Sequence, residues 1–452
     1  MRIIFVILLL GVLPLVAQNS AVNTPVTFNR QIAPIIYKNC SSCHRPGEAA
    51  PFALLSYQNV LRKGKTIADA TASRLMPPWK PEMASYPYRD ERRLTDDEIA
   101  LIQAWVKQGM PEGDGPKPEP PKFNSGWLLG EPDLVVEMPE RYRVPADGPD
   151  IYRNIAVPLG LTENKWVTAI DIRPSARAVV HHVLYFADPS GRAHLKPPQG
   201  DEPGFNGMRA GGASIPLGGA AVGAQPHFFP EGLALSLPKG SDLVIQYHFH
   251  PTGKPEVEKS LVGFYFAKKA PDRTLTRIQM PPDYSLFSGL DIPAGEKDFV
   301  IRDSYTLPVA IDAVGIGGHA HYLATRMKMT ATLPDGEVKT LLFIKDWDFA
   351  WQDRYFFKDF VFLPKGTRLD SEIHWDNSAE NPHNPSSPPV RVTWGEESKD
   401  EMGSISLMAV PHDESDLDIL RQDIHRRSRS LALERMQADP ALQKKVAQLL
   451  AE

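Results

Sequence analysis

Two kinds of residue pattern in this chain have spacings suited to holding metal. Near the start, Cys40-Ser-Ser-Cys43-His44 places an imidazole directly after the second of two thiols. This is the spacing of covalent c-type haem attachment, in which the thiols capture the vinyl groups and the histidine takes the iron. Far downstream stand three histidine clusters, His181-His182, His248-Phe-His250 and His319-Ala-His321.

The chain has only two cysteines, both in the first motif. A small disulfide loop is the alternative use of such a pair in an exported chain, but His44 favours haem. Iron then needs a sixth ligand. Methionine suits electron transfer, and Met76, in Arg74-Leu-Met-Pro-Pro-Trp79, is the first candidate because the prolines hold its thioether outside helical geometry. Met83 is the second. An open sixth position would instead suit a peroxidase or a sensor.

Alternation along a strand puts residues i and i+2 on one face. His319 with His321, and His248 with His250, therefore have chelating geometry. Adjacent His181 and His182 point to opposite faces of a regular strand, so both reach one ion only if the strand is bulged or distorted. Three such clusters among 13 histidines, all on apolar strands, predict a metal site. Imidazoles without cysteine fit copper or zinc, and a thioether would tip the choice to copper. Met402, in Trp394-Gly-Glu-Glu-Ser-Lys-Asp-Glu-Met402, is a candidate that spacing alone does not single out from twelve methionines.

The elements that must position these groups change character along the chain. Residues 25–113 read as helical. Phe28, Ile32, Ile35 and Ile36 share a face leading into Cys40. A second helix is expected from Ser56 through Val60, Ile67 and Leu75, ending at Pro77-Pro78. A third opens on the capping box Thr95-Asp-Asp-Glu98 and ends at Gly109 and Pro111. A proline-rich linker, 114–125, follows. Beyond it come short apolar strands, among them 166–172, 178–186, 243–249, 327–333 and 340–344, as in antiparallel sandwiches or jelly rolls. A glycine-rich loop, Gly204 to Gly223, is expected to interrupt the first sandwich. The tail, 411–452, reads as a surface pair of helices.

Composition narrows the classes. A formal net charge of -5 without a long basic run gives no reason to expect nucleic acid. Residues 1–17 read as a cleaved secretory signal, with an uncleaved membrane anchor as the alternative. No later stretch is long and apolar enough for a stable membrane span.

Residues of roughly 130 to 410 resemble the copper type II, ascorbate-dependent monooxygenases, the family of peptidylglycine α-hydroxylating and dopamine β-monooxygenases. That family has two tandem jelly rolls, each holding one copper. Its adjacent His-His pair is matched by His181-His182, and its third ligand, in a Gln-x-His-Tyr-like strand, by His248. Its His-x-His is matched by His319-Ala-His321, and its Glu-Met after a turn by Glu401-Met402, downstream of Trp375-Asp-Asn-Ser. The resemblance implies an electron-transfer copper on His181, His182 and His248, and an oxygen-activating copper on His319, His321 and Met402. His250 is extra, an outer partner or a solvent-facing residue. There are departures: the region has no cysteine, Gly317 stands where amidating members carry a carboxylate-holding arginine, and Ser404 and Ser406 replace an asparagine and a tyrosine. Peptidylglycine is therefore a poor substrate guess.

The N-terminal part resembles bacterial c-type cytochrome modules that carry CxxCH-Arg-Pro-Gly-Glu and Met-Pro-Pro-Trp, present here as Cys40 to Glu48 and Met76 to Trp79. The resemblances together imply a multidomain chain: a small all-α cytochrome c domain, two tandem all-β jelly-roll sandwiches at 126–270 and 271–410, and a short helical tail. The implied cofactors are two copper ions and one covalently attached haem c. The expected function is an exported copper-dependent monooxygenase, periplasmic or secreted by a bacterium. It would act with O2 on a small-molecule or peptide substrate, with electrons from an ascorbate-like reductant or a redox protein relayed by the haem. The alternative is a non-catalytic haem and copper redox or copper-binding protein.

Overall fold

The computed structural model describes residues 25–440 apart from 49, 124–125, 207–213, 222–224, 283–286 and 396, and also residues 442–444 and 446. The expected signal segment, 1–17, lies outside the described residues. Among them, no helix is long and apolar enough to cross a membrane.

The N-terminal unit is helical. A wide turn, Phe28–Ile32, runs directly into the helix Ala33–Asn39. Ser56 Oγ accepts the Asn59 amide at 3.2 Å and caps the helix Tyr57–Ala72. Thr95 and Glu98 exchange the two bonds of a capping box at the head of Asp96–Lys107. These helices close on a core centred on the fully buried Trp105. The second helix stops at Ala72, short of the expected prolines. Ser73 Oγ bonds back to the Asp69 carbonyl and Arg74 adopts φ +55°, a left-handed residue that ends the helix and leaves Leu75 half exposed.

The chain from Pro77 onward then lies against the second sandwich. Glu82 N donates to Phe343 O at 2.6 Å, Ser85 N to Thr340 O at 2.9 Å, and Tyr88 stacks on Phe357 with ring centroids 5.6 Å apart. After the third helix the linker folds back, so that the Arg45 guanidinium sits 4.3 Å over the Phe123 ring.

The rest is β, in two jelly-roll-like sandwiches. In the first, one sheet runs Leu134–Glu137, Leu261–Phe266, Lys165–Arg173, Leu235–Leu237. Its facing sheet runs Ile151–Pro158, Asp242–Phe249, Val180–Asp188, Ile215–Ala221. In the second, one sheet runs Thr276–Met280, Gly403–Pro411, Ile311–Ala320, Arg354–Leu363. The other runs Phe299–Thr306, Arg368–Trp375, Ala324–Thr332, Val338–Ile344. Taken in chain order, the strands of the second sandwich occupy the same places as those of the first, so one architecture occurs twice. The pleat turns alternate residues to one face: Ile245, Tyr247 and Phe249 fill the first core, and Ile373, Trp375 and Leu407 help fill the second.

Two expectations are corrected. The glycine-rich stretch is not all loop, because Ile215–Ala221 pairs as an edge strand with Val180–Asp188; glycine 219 opposes Leu184 there. The tail is chiefly one long helix, Leu417–Ala438, with helical residues resuming only after a break at Asp439. It docks on the second sandwich through the fully buried Leu420 and through Tyr305 Oη donating to Asp423 at 3.0 Å.

Candidate metal centres

The first centre sits in the middle of a sheet. His181 and His182 open the strand Val180–Asp188, and His248 lies opposite His182 on the neighbouring strand. The register shifts between Val180 and His182, the distortion that adjacent histidines need in order to share an ion. The Nδ1 atoms of His181 and His182 are 3.2 Å apart, and those of His182 and His248 3.3 Å. One nitrogen from each of the three lies within 4.8 Å of the others. Ligand nitrogens about 2.0 Å from one ion stand about 3–3.5 Å from each other, so the donor set fits a bound metal. Burial and then His248 push the His181 imidazolium down to about 4 and His182 well below its ordinary value. The rings are therefore neutral, with lone pairs to give.

Asp150 holds this centre from outside. Its carboxylate bonds His248 Nε2 at 2.8 Å and His250 Nδ1 at 2.7 Å, and accepts from Ser398 Oγ at 2.9 Å. Burial alone would raise the Asp150 carboxyl, but the bonds from His248 and His250 overcome it and hold it well below the usual carboxylate range. With His248 Nε2 engaged, Nδ1 is the atom turned to the cluster. His250 is thus an outer, largely exposed partner. Tyr152 stacks on His248 at 4.5 Å and bonds Ser398 at 2.6 Å, tying the first centre to the second sandwich.

The second centre lies at the end of a sheet. His319 and His321 end and follow the strand Ile311–Ala320, whose register pairs His319 with Ser404 and Ala320 with Gly403. Met402 directly precedes Gly403, the residue opposite Ala320, so it comes just before the strand that pairs with the His319 strand. Met402 is buried. His319 Nδ1 bonds Gln352 Oε1 at 2.6 Å and His321 Nδ1 bonds the Asp400 carbonyl at 3.0 Å. Both rings therefore present Nε2, the opposite choice from the first centre. Burial and then His319 push His321 down to about 3. Glu401 braces the turn by accepting from the amides of Leu323 at 2.6 Å and His321 at 3.1 Å, and from Trp375 Nε1 at 3.1 Å. Burial pushes its carboxyl up to about 8. Two imidazoles joined by the Met402 thioether would suit a soft metal ion.

One ring stands between the centres. Phe349 stacks on His181 at 5.2 Å and meets His321 at 5.8 Å.

In the helical unit, Cys40 and Cys43 are not joined by a disulfide. The amides of Cys43 and His44 donate to the Cys40 carbonyl at 3.2 and 2.9 Å, wrapping the motif into one turn. His44 Nδ1 bonds the Phe52 carbonyl at 3.1 Å, which leaves Nε2 for a ligand, and burial lowers its basicity. These residues fit a thioether-attached haem. Met76 is partly buried, with its amide on the Ala70 carbonyl at 3.1 Å, whereas Met83 is 83% exposed. Glu48 links this unit to the first sandwich, pairing with Arg45 at 2.9 Å and Arg177 at 2.6 Å.

Sequence reasoning missed Asp150, Tyr152, Phe349, Gln352 and Ser398. Each comes from a segment remote from the ligands it serves. A signal existed only for Asp150, an acid placed directly before an apolar strand.

No family model matches the chain, and no curated protein does. Among solved structures, a peptide-N(4)-(N-acetyl-β-D-glucosaminyl) asparagine amidase covers 62% of this chain and 97% of its own, at 10% identity and a TM-score of 0.27. The major capsid protein P2 of bacteriophage PM2 matches over the same shares at 10% identity and a TM-score of 0.23.

Proposed function

We propose that this chain is an exported copper-dependent monooxygenase that hydroxylates an organic substrate with O2, and that its helical unit is a c-type cytochrome module delivering electrons. One observation carries the reading: two unlike donor sets face each other across a single aromatic ring. One offers three imidazole Nδ1 atoms and the other two imidazole Nε2 atoms, with the buried Met402 directly before the strand that pairs with theirs.

His181, His182 and His248 would hold an electron-storing copper, and His319, His321 and Met402 an oxygen-binding one. Copper in such sites supplies one-electron transfer and O2 chemistry that side chains lack. The chain's own residues do the positioning. Asp150 fixes the His248 ring, Gln352 and the Asp400 carbonyl set the tautomers of His319 and His321, and Met402 favours the reduced, softer ion. Cys40, Cys43 and His44 would hold the haem, with Met76 as its sixth ligand.

The alternative, a non-catalytic haem and copper redox protein, gains from Phe349, whose ring contacts His181 and His321. Copper stoichiometry does not separate the two. Under a reductant and O2, metabolite profiling of the copper-loaded chain should show oxygen uptake matched by a hydroxylated product. Both should be lost in Met402→Ala. Oxygen uptake without product from any metabolite pool would sink the enzyme reading.

A further inference from the structure

The two sandwiches meet around a solvent-open cavity of about 160 Å³ that reaches from Cys43 to His181 and His182. Two polar groups in its wall lack the partner their chemistry calls for. Tyr185 is 2% exposed, and its hydroxyl has no hydrogen-bond partner among the described residues. Buried hydroxyls are nearly always bonded, so this one needs a reason.

Arg354 enters from the second sandwich. Its Nη2 donates to the Gly219 carbonyl at 2.9 Å, and among the described residues no carboxylate forms an ion pair with it. The acids lining the same cavity are engaged elsewhere: Glu48 with Arg177 at 2.6 Å, Asp353 with Arg92 at 3.0 Å, and Asp171 with the Leu128 amide at 3.0 Å. A guanidinium has five donors in a planar fork, and one carbonyl leaves most of them for a ligand. A cation drawn out of water without a counter-charge is costly, so an anion is the expected occupant.

The backbone is shaped around this side chain. Gly218 has φ +121°, and a Cβ there would stand 2.6 Å from Arg354 Nη2; a Cβ at Gly317 would stand 3.2 Å from its Cγ. Register pairs Gly317 with Arg354, so the arginine leaves the sheet on the face that also carries His319, two residues on.

We propose that Arg354 and Tyr185 form a carboxylate-binding site in this cavity, the guanidinium pairing with the carboxylate and the phenol donating to one of its oxygens. The carboxylate has two sources, a free acid that is the substrate or a propionate of the haem attached at Cys43. As a statement about substrate class, the inference rests on the monooxygenase reading; as a binding site it does not.

The test is calorimetric titration of the full haem-carrying chain, stripped of copper so that no acid can bind the metal, with benzoate and its neutral isostere benzamide. The same titration is run on the Cys40→Ala/Cys43→Ala chain, which cannot attach haem. Benzoate should bind at least about tenfold tighter than benzamide, and Arg354→Gln should remove that preference. The milder Tyr185→Phe, which keeps the ring packing, should weaken benzoate about fivefold. Benzoate binding to the haem-carrying chain identifies a free acid as the occupant. Binding to the haem-free chain alone, with an altered haem potential in Arg354→Gln, identifies the propionate. Equal affinity for benzoate and benzamide, no benzoate binding to either chain, or undiminished binding in Tyr185→Phe overturns the proposal. Because neither copper nor turnover enters the measurement, its failure leaves the copper chemistry to stand or fall separately.

Discussion

The two sandwiches have the same strand order, yet their candidate centres lie on different sheets. In the first, the imidazoles gather where His182 opposes His248, with Asp150 behind His248. The matching place in the second sandwich holds Arg326 opposite His374, with Asp298 bonding His374 Nδ1 at 2.6 Å. Tyr152 opposes His248 as Val300 opposes His374, and Asp150 and Asp298 each precede the corresponding strand. The acid and histidine pair is thus present twice, but Arg326 stands where the first sandwich has an imidazole. Its Nη2 lies 3.0 Å from His374 Nε2, and Glu372 lies 3.1 Å from the same atom. A guanidinium there puts a fixed positive charge where the first sandwich has the His182 imidazole. Single side chains thus distinguish two places that the strand order makes equivalent.

The largest expected break in this comparison comes from Met402→Ala. It should cut product formation at least about 1,000-fold, since a metal site contributes several kcal/mol to its reaction, while metal at the His181 centre is retained by titration. Asp150→Asn should weaken metal at the first centre about 10- to 100-fold, as losing an outer hydrogen bond to a ligand does. Asp298→Asn, its counterpart, should leave metal binding unchanged in a parallel titration.

Proton linkage sharpens the contrast further. The His181 imidazole falls from an ordinary 6.5 to about 4 in the folded chain, so the unfolded chain binds its proton first as pH drops. The metal-free protein should lose stability between about pH 6.5 and 4 in denaturant melts, with a shallower slope in His181→Gln. The smallest effect is a gain: Arg326→His should let the second sandwich bind a third, weaker equivalent of copper through His374, counted by competition with a chromophoric chelator.

Much of this was legible in the sequence because the signals were local. The capping box at Thr95 and the cap at Ser56 depend on residues three apart, and both formed as read. The adjacent pair demanded a distorted strand, and the register shifts between Val180 and His182. The expected chelating pair of His248 and His250 is instead split, with His248 at the cluster and His250 outside on Asp150. What escaped depended on distant pairing. Phe349 reaches both centres from a loop, Asp150 meets His248 across 98 residues of chain, and Arg326 matches His182 only once the repeated strand order is visible. The helix end at Ala72 escaped for a different reason. Proline marks where a helix cannot continue, whereas Ser73 and Arg74 stopped it earlier through a side-chain bond and a left-handed residue.

The central claim is that two unlike copper centres lie on these strands, with sulfur in only one. Copper X-ray absorption on the reduced, copper-loaded chain tests it most directly. The account predicts two coppers per chain with one sulfur scatterer shared between them, and a purely nitrogen and oxygen shell in Met402→Ala. A wild-type shell without sulfur, or a sulfur signal that survives Met402→Ala, would contradict it.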